Sequence, residues 1–135
     1  MNIKRINEYA VKMLPHYLAA VAWATIGTSP EGEELESLED YEFSEDANAL
    51  ALIDCTYFVR MALPWLEPAC TDSDEESIPD ITPEMAGHDL WLTRCGHGTG
   101  FWDRGHTYGN VLTGICEKMG NIDPYINDKG EIGLD

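Results

Sequence analysis

Basic residues are scarce in this chain: 8 Lys and Arg stand against 25 Asp and Glu, and the formal net charge is −17. Phosphate neutralisation needs clustered cations, so the shortage argues against direct nucleic-acid binding and disfavours an anionic membrane surface. A surface of this sign prefers a cation or a basic protein. Long apolar runs are missing as well, and no uninterrupted stretch reaches the ~20 residues expected of a membrane span. The chain has no internal repeat and no Gly/Ser linker. Its four cysteines, Cys55, Cys70, Cys95 and Cys116, lack the tight spacing of a disulfide framework. At 135 residues a core forms without such staples, so one domain over residues 1–135 and reduced thiols are expected. Near the N-terminus, Lys4, Arg5 and Lys12 precede the apolar run Leu18–Ile26, and Ala20-Val21-Ala22 has the outline of a cleavage site. Pro15 and His16 interrupt that outline, and the run fits a short amphipathic helix better, which predicts a cytoplasmic protein.

The acids are unevenly placed. Nine fall between Glu31 and Asp46 and seven between Glu67 and Glu84, with no base in either segment. Both segments are expected to be acidic loops. Between them, Ser44 followed by Glu45 and Asp46 is the start signal of a helix, an N-cap with acids at the positive end of the dipole. Leu50, Tyr57, Phe58, Met61 and Trp65 recur at helical spacing as its core stripe, and Pro64 marks the expected end. An earlier helix is expected from Pro15 to Ile26 with Gly27 as its stop, preceded by a separate helical segment over 2–13.

The second half changes character. His88–Arg94 and Thr99–Arg104 are rich in Trp, Phe, Leu and Thr around Cys95-Gly96-His97-Gly98, which predicts a β-hairpin. A turn centred on Gly96-His97 would pair Leu92 with Phe101, Trp91 with Trp102 and Asp89 with Arg104, three compatible cross-strand pairs. A short helix from about Tyr108 to Met119 capped by Gly120 follows. Tyr125-Ile126, the turn Asn127-Asp128-Lys129-Gly130 and Glu131–Leu134 predict a second hairpin. The expected class is α+β: two or three N-terminal helices packed on an antiparallel sheet built from two β-hairpins separated by a short helix.

Residues 87–105 read GHDLWLTRCGHGTGFWDRG. This stretch resembles the signature GHDFWLTRNGHGAGFWDRG of a family of small, acidic, largely uncharacterised proteins of bacteriophages and mobile elements. The departures are Leu90, Cys95 and Thr99. Asp40-Tyr41 to Ser44, the helical pair Asp54-Cys55, and Asp123-Pro124-Tyr125-Ile126 with Gly130 resemble further parts of that family, so the likeness runs from about residue 16 to the end. It implies a phage-encoded protein acting in a bacterial cytoplasm, and it implies no activity.

The signature stretch concentrates His88, Asp89, Trp91, Arg94, His97, Trp102, Asp103 and Arg104, a set that is either structural or an alternative site. Cys95, His97 and His106, completed by His88 or Asp103, have the chemistry of zinc ligands but not an established zinc spacing. Cys95 beside His97 or His106 has the makings of a thiol nucleophile and its base, without a recognised cysteine-enzyme motif. No metal, cofactor or catalytic set is therefore expected. The plain reading of the acids is solvated loops. The sharper one is a DNA mimic whose carboxylates, above all Glu33, Glu34, Glu36, Glu39, Asp40, Asp72, Asp74, Glu75 and Glu76, occupy the basic groove of a host nucleic-acid-binding protein. Such a protein would be an inhibitor of the anti-restriction or anti-CRISPR type. The other readings are a small metal-dependent or thiol enzyme centred on the hairpin, and a structural or regulatory phage protein with a Trp91/Trp102 interface.

Overall fold

The computed structural model describes residues 3–67, 80–95, 101 and 109–134. Among them the chain forms an α+β fold with its long helices first: α1 Ile3–Ala24, α2 Glu45–Leu66, α3 Pro83–Arg94 and α4 Gly109–Met119. The strands are short: β1 Gly27–Thr28, β2 Glu34–Leu35, β3 Glu42–Phe43, β4 Pro124–Ile126 and β5 Glu131–Leu134.

α1 is one helix and not the two expected. Pro15 sits inside it on the exposed side. The bond its missing N–H forfeits is to the carbonyl of Val11, a residue 59% exposed, so the loss falls on the solvent side of the helix. The buried side of α1 carries Tyr9, Met13, Tyr17, Ala20 and Val21. α2 begins as expected: Ser44 accepts a hydrogen bond from the Ala47 N–H at 3.1 Å, and Glu45 and Asp46 occupy the first turn. It runs two residues past Pro64 to Leu66, and the Glu67 N–H closes the last turn on the Leu63 carbonyl at 2.9 Å.

The inward stripe of α2 also differs from expectation. Ala47, Ala51, Cys55, Phe58, Val59, Ala62 and Leu66 are buried, whereas Tyr57 and Met61 are 48% and 44% exposed. Small residues let α1 approach α2 closely, so the larger side chains were a poor guide to the phase of the stripe. By length and composition α2 would suffice to cross a membrane, with a mean hydropathy of 1.3. Core helices of soluble folds meet the same criterion, and here the small-residue face is packed inside the helical core.

The larger correction concerns His88–Arg94, which is helical and not the first arm of a hairpin. Thr82 accepts a hydrogen bond from the Met85 N–H, Pro83 takes the first helical turn, and Glu84 faces the dipole. These start signals lie just before the residues that looked strand-like. A run of seven residues rich in Leu and Trp fits either period, and the cap decides. α3 is buried on almost every side: Ala86, Gly87, Asp89, Leu90, Trp91, Leu92 and Arg94 are all inside. Gly87 permits its closest packing. A Cβ there would lie 2.5 Å from the Met13 carbonyl oxygen and 2.8 Å from the Tyr17 nitrogen, so backbone meets backbone where α3 crosses α1. The expected cross-strand pairs of Asp89, Trp91 and Leu92 therefore do not exist; their proposed partners Arg104 and Trp102 lie outside the described residues. Phe101 is fully buried and stacks on Phe58 at 5.5 Å.

The C-terminal hairpin is as expected, with β4 antiparallel to β5 and Gly130 at φ 74° in the turn. The sheet around it is not the one expected. β3, from the first acidic segment, joins β5 in parallel, giving the order β3-β5-β4. β1 and β2 form a separate antiparallel pair. A second small apolar cluster of Ala22, Leu38 and Ile132, with Leu35, Tyr41, Phe43 and Ile126 against it, lies under these strands.

Candidate functional site

Residues 31–46 were expected to be a loop, and part of the segment is instead laid onto the fold. Ser29 begins the turn: its hydroxyl and its carbonyl accept the N–H groups of Glu33 and Gly32, and Gly32 takes φ 86°. β2 then runs back along β1, with Thr28 opposite Glu34 and Gly27 opposite Leu35. Leu38, fully buried, donates its N–H to the Ala22 carbonyl at 2.7 Å. β3 continues into the sheet, and Ser44 donates its N–H to the Ile132 carbonyl at 2.9 Å. The apolar members Leu35, Leu38 and Phe43 turn inward, and the acids are left outward.

All nine acids of this segment are exposed, including Glu33, Glu34, Glu36, Glu39 and Asp40. Among the described residues none of the nine forms an ion pair. The second acidic segment is different. Asp72, Asp74, Glu75 and Glu76 lie outside the described residues. Its first member, Glu67, is no surface acid: it is 7% exposed and receives the Arg5 guanidinium through Nε at 2.7 Å and through Nη2.

Most of the described signature residues sit inside the protein. Arg94 touches every helix. From α3 its Nη1 donates to the Tyr17 hydroxyl of α1 at 2.9 Å and to Asp54 Oδ2 of α2 at 2.8 Å. Its Nε donates to the Gly120 carbonyl at 2.8 Å, just past the end of α4, where a cation also suits the negative end of the dipole. Burial opposes the charge of Arg94, but Tyr17 and Asp54 outweigh it and push its pKa up. The Tyr17 phenol is pushed up by burial, against the pull of Arg94. Asp54 entered the sequence reading only through the resemblance, with no role, and the structure pairs it with Arg94. Its signal was present, because it is the only acid in the apolar stretch 47–66.

Asp89 is fully buried, His88 is half-buried with Nδ1 3.5 Å from Asp89 Oδ1, and Trp91 is 2% exposed. A Trp91 interface is therefore excluded by burial. His97, Trp102, Asp103 and Arg104 lie outside the described residues, as does His106. Among the described residues no three His, Cys, Asp or Glu side chains converge as metal ligands. Cys55 and Cys116 are poorly placed for nucleophilic work. Burial pushes Cys55 up, with Asp54 adding to the effect, and burial pushes Cys116 up to about 12. Cys95, half-buried at the end of α3, donates weakly to the Leu92 carbonyl at 3.7 Å.

The two sets thus divide cleanly. The described signature residues build the helical core, and the acidic segment supplies surface chemistry. No family model, curated protein or solved structure matches the chain.

Proposed function

We propose that this chain is a phage-encoded acidic protein that binds and inhibits a basic, nucleic-acid-binding host protein in the bacterial cytoplasm, as a DNA mimic of the anti-restriction or anti-CRISPR type. The observation that carries this reading is the set of nine exposed acids, without a cation partner among the described residues, on a segment anchored by Leu38 and by strand pairing. A solvated loop needs no such anchoring. Fixed carboxylates lose less entropy on binding than mobile ones. The phage-like signature supplies a reason for such a surface, since phage genomes gain by disarming nucleic-acid-binding defence enzymes.

The test is affinity capture from bacterial lysate at low and high salt, using the wild type and a folded variant with Glu33, Glu34, Glu36 and Glu39 changed to Gln and Asp40 to Asn. A basic nucleic-acid-binding protein should be held by the wild type at low salt, released at high salt, and lost by the variant. Capture unchanged by the substitutions would overturn the mimic.

A further inference from the structure

Two exposed apolar side chains lie beside the acidic segment. Trp23, in the last turn of α1, is 56% exposed, and Ile26, just before β1, is 80% exposed, the highest value among the described large apolar residues. Two residues lie between them, so their Cα atoms are at most about 11 Å apart. The acidic strand runs antiparallel to the same stretch. Glu34 is opposite Thr28, Leu35 is opposite Gly27, and the Leu38 N–H meets the Ala22 carbonyl. Directly opposed residues share a face, so Thr28 and Glu34 do, and Ile26 immediately precedes this pair of strands. Trp23 is also held in place. Its ring lies against that of His88, with centroids 5.8 Å apart.

We infer that Trp23 and Ile26 are the apolar anchor of the acidic surface, and that the partner is a protein presenting an apolar depression ringed by Lys or Arg. This rests on the function proposed above and narrows the partner's chemistry. Nucleic acid imitated by charge alone needs no exposed indole at its edge. A protein interface does, because its binding energy concentrates in a few desolvated apolar side chains, Trp foremost, while rim charges set specificity and association rate. Its contact with the His88 ring leaves Trp23 less side-chain freedom to lose on binding.

Two synthetic helical peptides of equal length and charge test this directly. One carries Lys and Leu in amphipathic spacing; the other carries Lys with Ser in place of Leu. Wild-type protein should bind the Lys/Leu peptide at least tenfold more tightly. Trp23→Ser with Ile26→Ser should abolish that preference while leaving the Lys/Ser affinity unchanged. Ile53→Ser with Met61→Ser, on the exposed face of α2, should retain the preference and so controls for generic stickiness. Equal binding of the two peptides by the wild type, or a preference that survives Trp23→Ser/Ile26→Ser, would overturn the anchor and leave the acidic reading standing. Binding of neither peptide would overturn both. All four substituted residues are exposed, from 44% at Met61 to 80% at Ile26, and circular dichroism checks the fold of each variant.

Discussion

Substituting Gly87 by Ala puts one methyl group at the crossing of α1 and α3. The new carbon would lie 2.5 Å from the Met13 carbonyl oxygen, 2.8 Å from the Tyr17 nitrogen and 3.1 Å from His16 Cβ. Restoring even 3.0 Å to the nearest atom requires the two helices to part by about 0.5 Å, and the obstacles are backbone atoms that cannot rotate away. Overpacking of this kind costs roughly 1–3 kcal/mol, and the upper end applies where two helix backbones must shift. Against it stands the gain of about 1 kcal/mol from replacing a helical Gly by Ala. The net expectation is a loss of about 2 kcal/mol. With an unfolding entropy of ~2.1 cal/mol/K per residue over 135 residues, that lowers Tm by ~7 °C.

Gly114 is the internal control. It lies inside α4, and a Cβ there meets nothing within 4 Å. Gly114→Ala has the same propensity gain without the clash and should raise stability by about 0.5–1 kcal/mol. Urea titrations of both variants, read at constant m, give the comparison. Equal shifts of the two, or a Gly87→Ala protein as stable as the wild type, would refute the close crossing and with it the helical placement of the signature.

Other expectations follow from the same core. Arg94→Met strands Asp54, whose side chain is 19% exposed, and removes the partner of the Gly120 carbonyl; it should cost about 3 kcal/mol. Adding Asp54→Leu should recover at least ~1 kcal/mol in a double-mutant cycle, and strict additivity would show that the pair is not coupled. Alkali should destabilise the fold. Cys116 is pushed from 9.0 up to about 12, and Cys55, Tyr9 and Tyr17 are pushed up by burial as well. For these groups the folded pKa exceeds the unfolded one, so their contribution is intact below about pH 9 and is lost as pH rises towards 12. Between about pH 9 and 10.5 the Cys116 thiol alone accounts for on the order of 2 kcal/mol, and Cys116→Ala should make the fall of the urea midpoint over that range shallower, with Cys55 still contributing.

Much of this architecture was legible in the residues, and the failures have identifiable causes. Local chemistry read well. Ser44 caps α2, Gly120 takes φ 73° after α4, and the Asn127–Gly130 turn closes the hairpin, because each is settled within about four residues. Period read badly wherever burial was two-sided or small residues did the packing. α3 is buried almost all round, so its apolar residues show no stripe to separate helix from strand, and only Thr82-Pro83-Glu84 marked its start. α2 packs through alanines and a cysteine, which carry less hydrophobic signal than the Tyr57 and Met61 it leaves outside. Long-range pairings were invisible. Nothing local announces that Glu42–Phe43 lies parallel to Glu131–Ile132, or that Arg94 reaches Asp54 forty residues earlier. For the candidate surface, charge located the acids, but no rule of composition could separate the buried Glu67 from the exposed acids of 31–46.

The apolar cluster beneath the acidic strands has a consequence for how such a surface can change. Ala22, Leu38 and Ile132 and the residues around them share only Phe43 with the helical core among the described residues. Substitutions among the outward acids touch neither cluster, and substitutions in the small cluster leave the ties among Tyr17, Asp54 and Arg94 intact. The charged display can therefore change residue by residue without re-solving the packing of the helices that carry it.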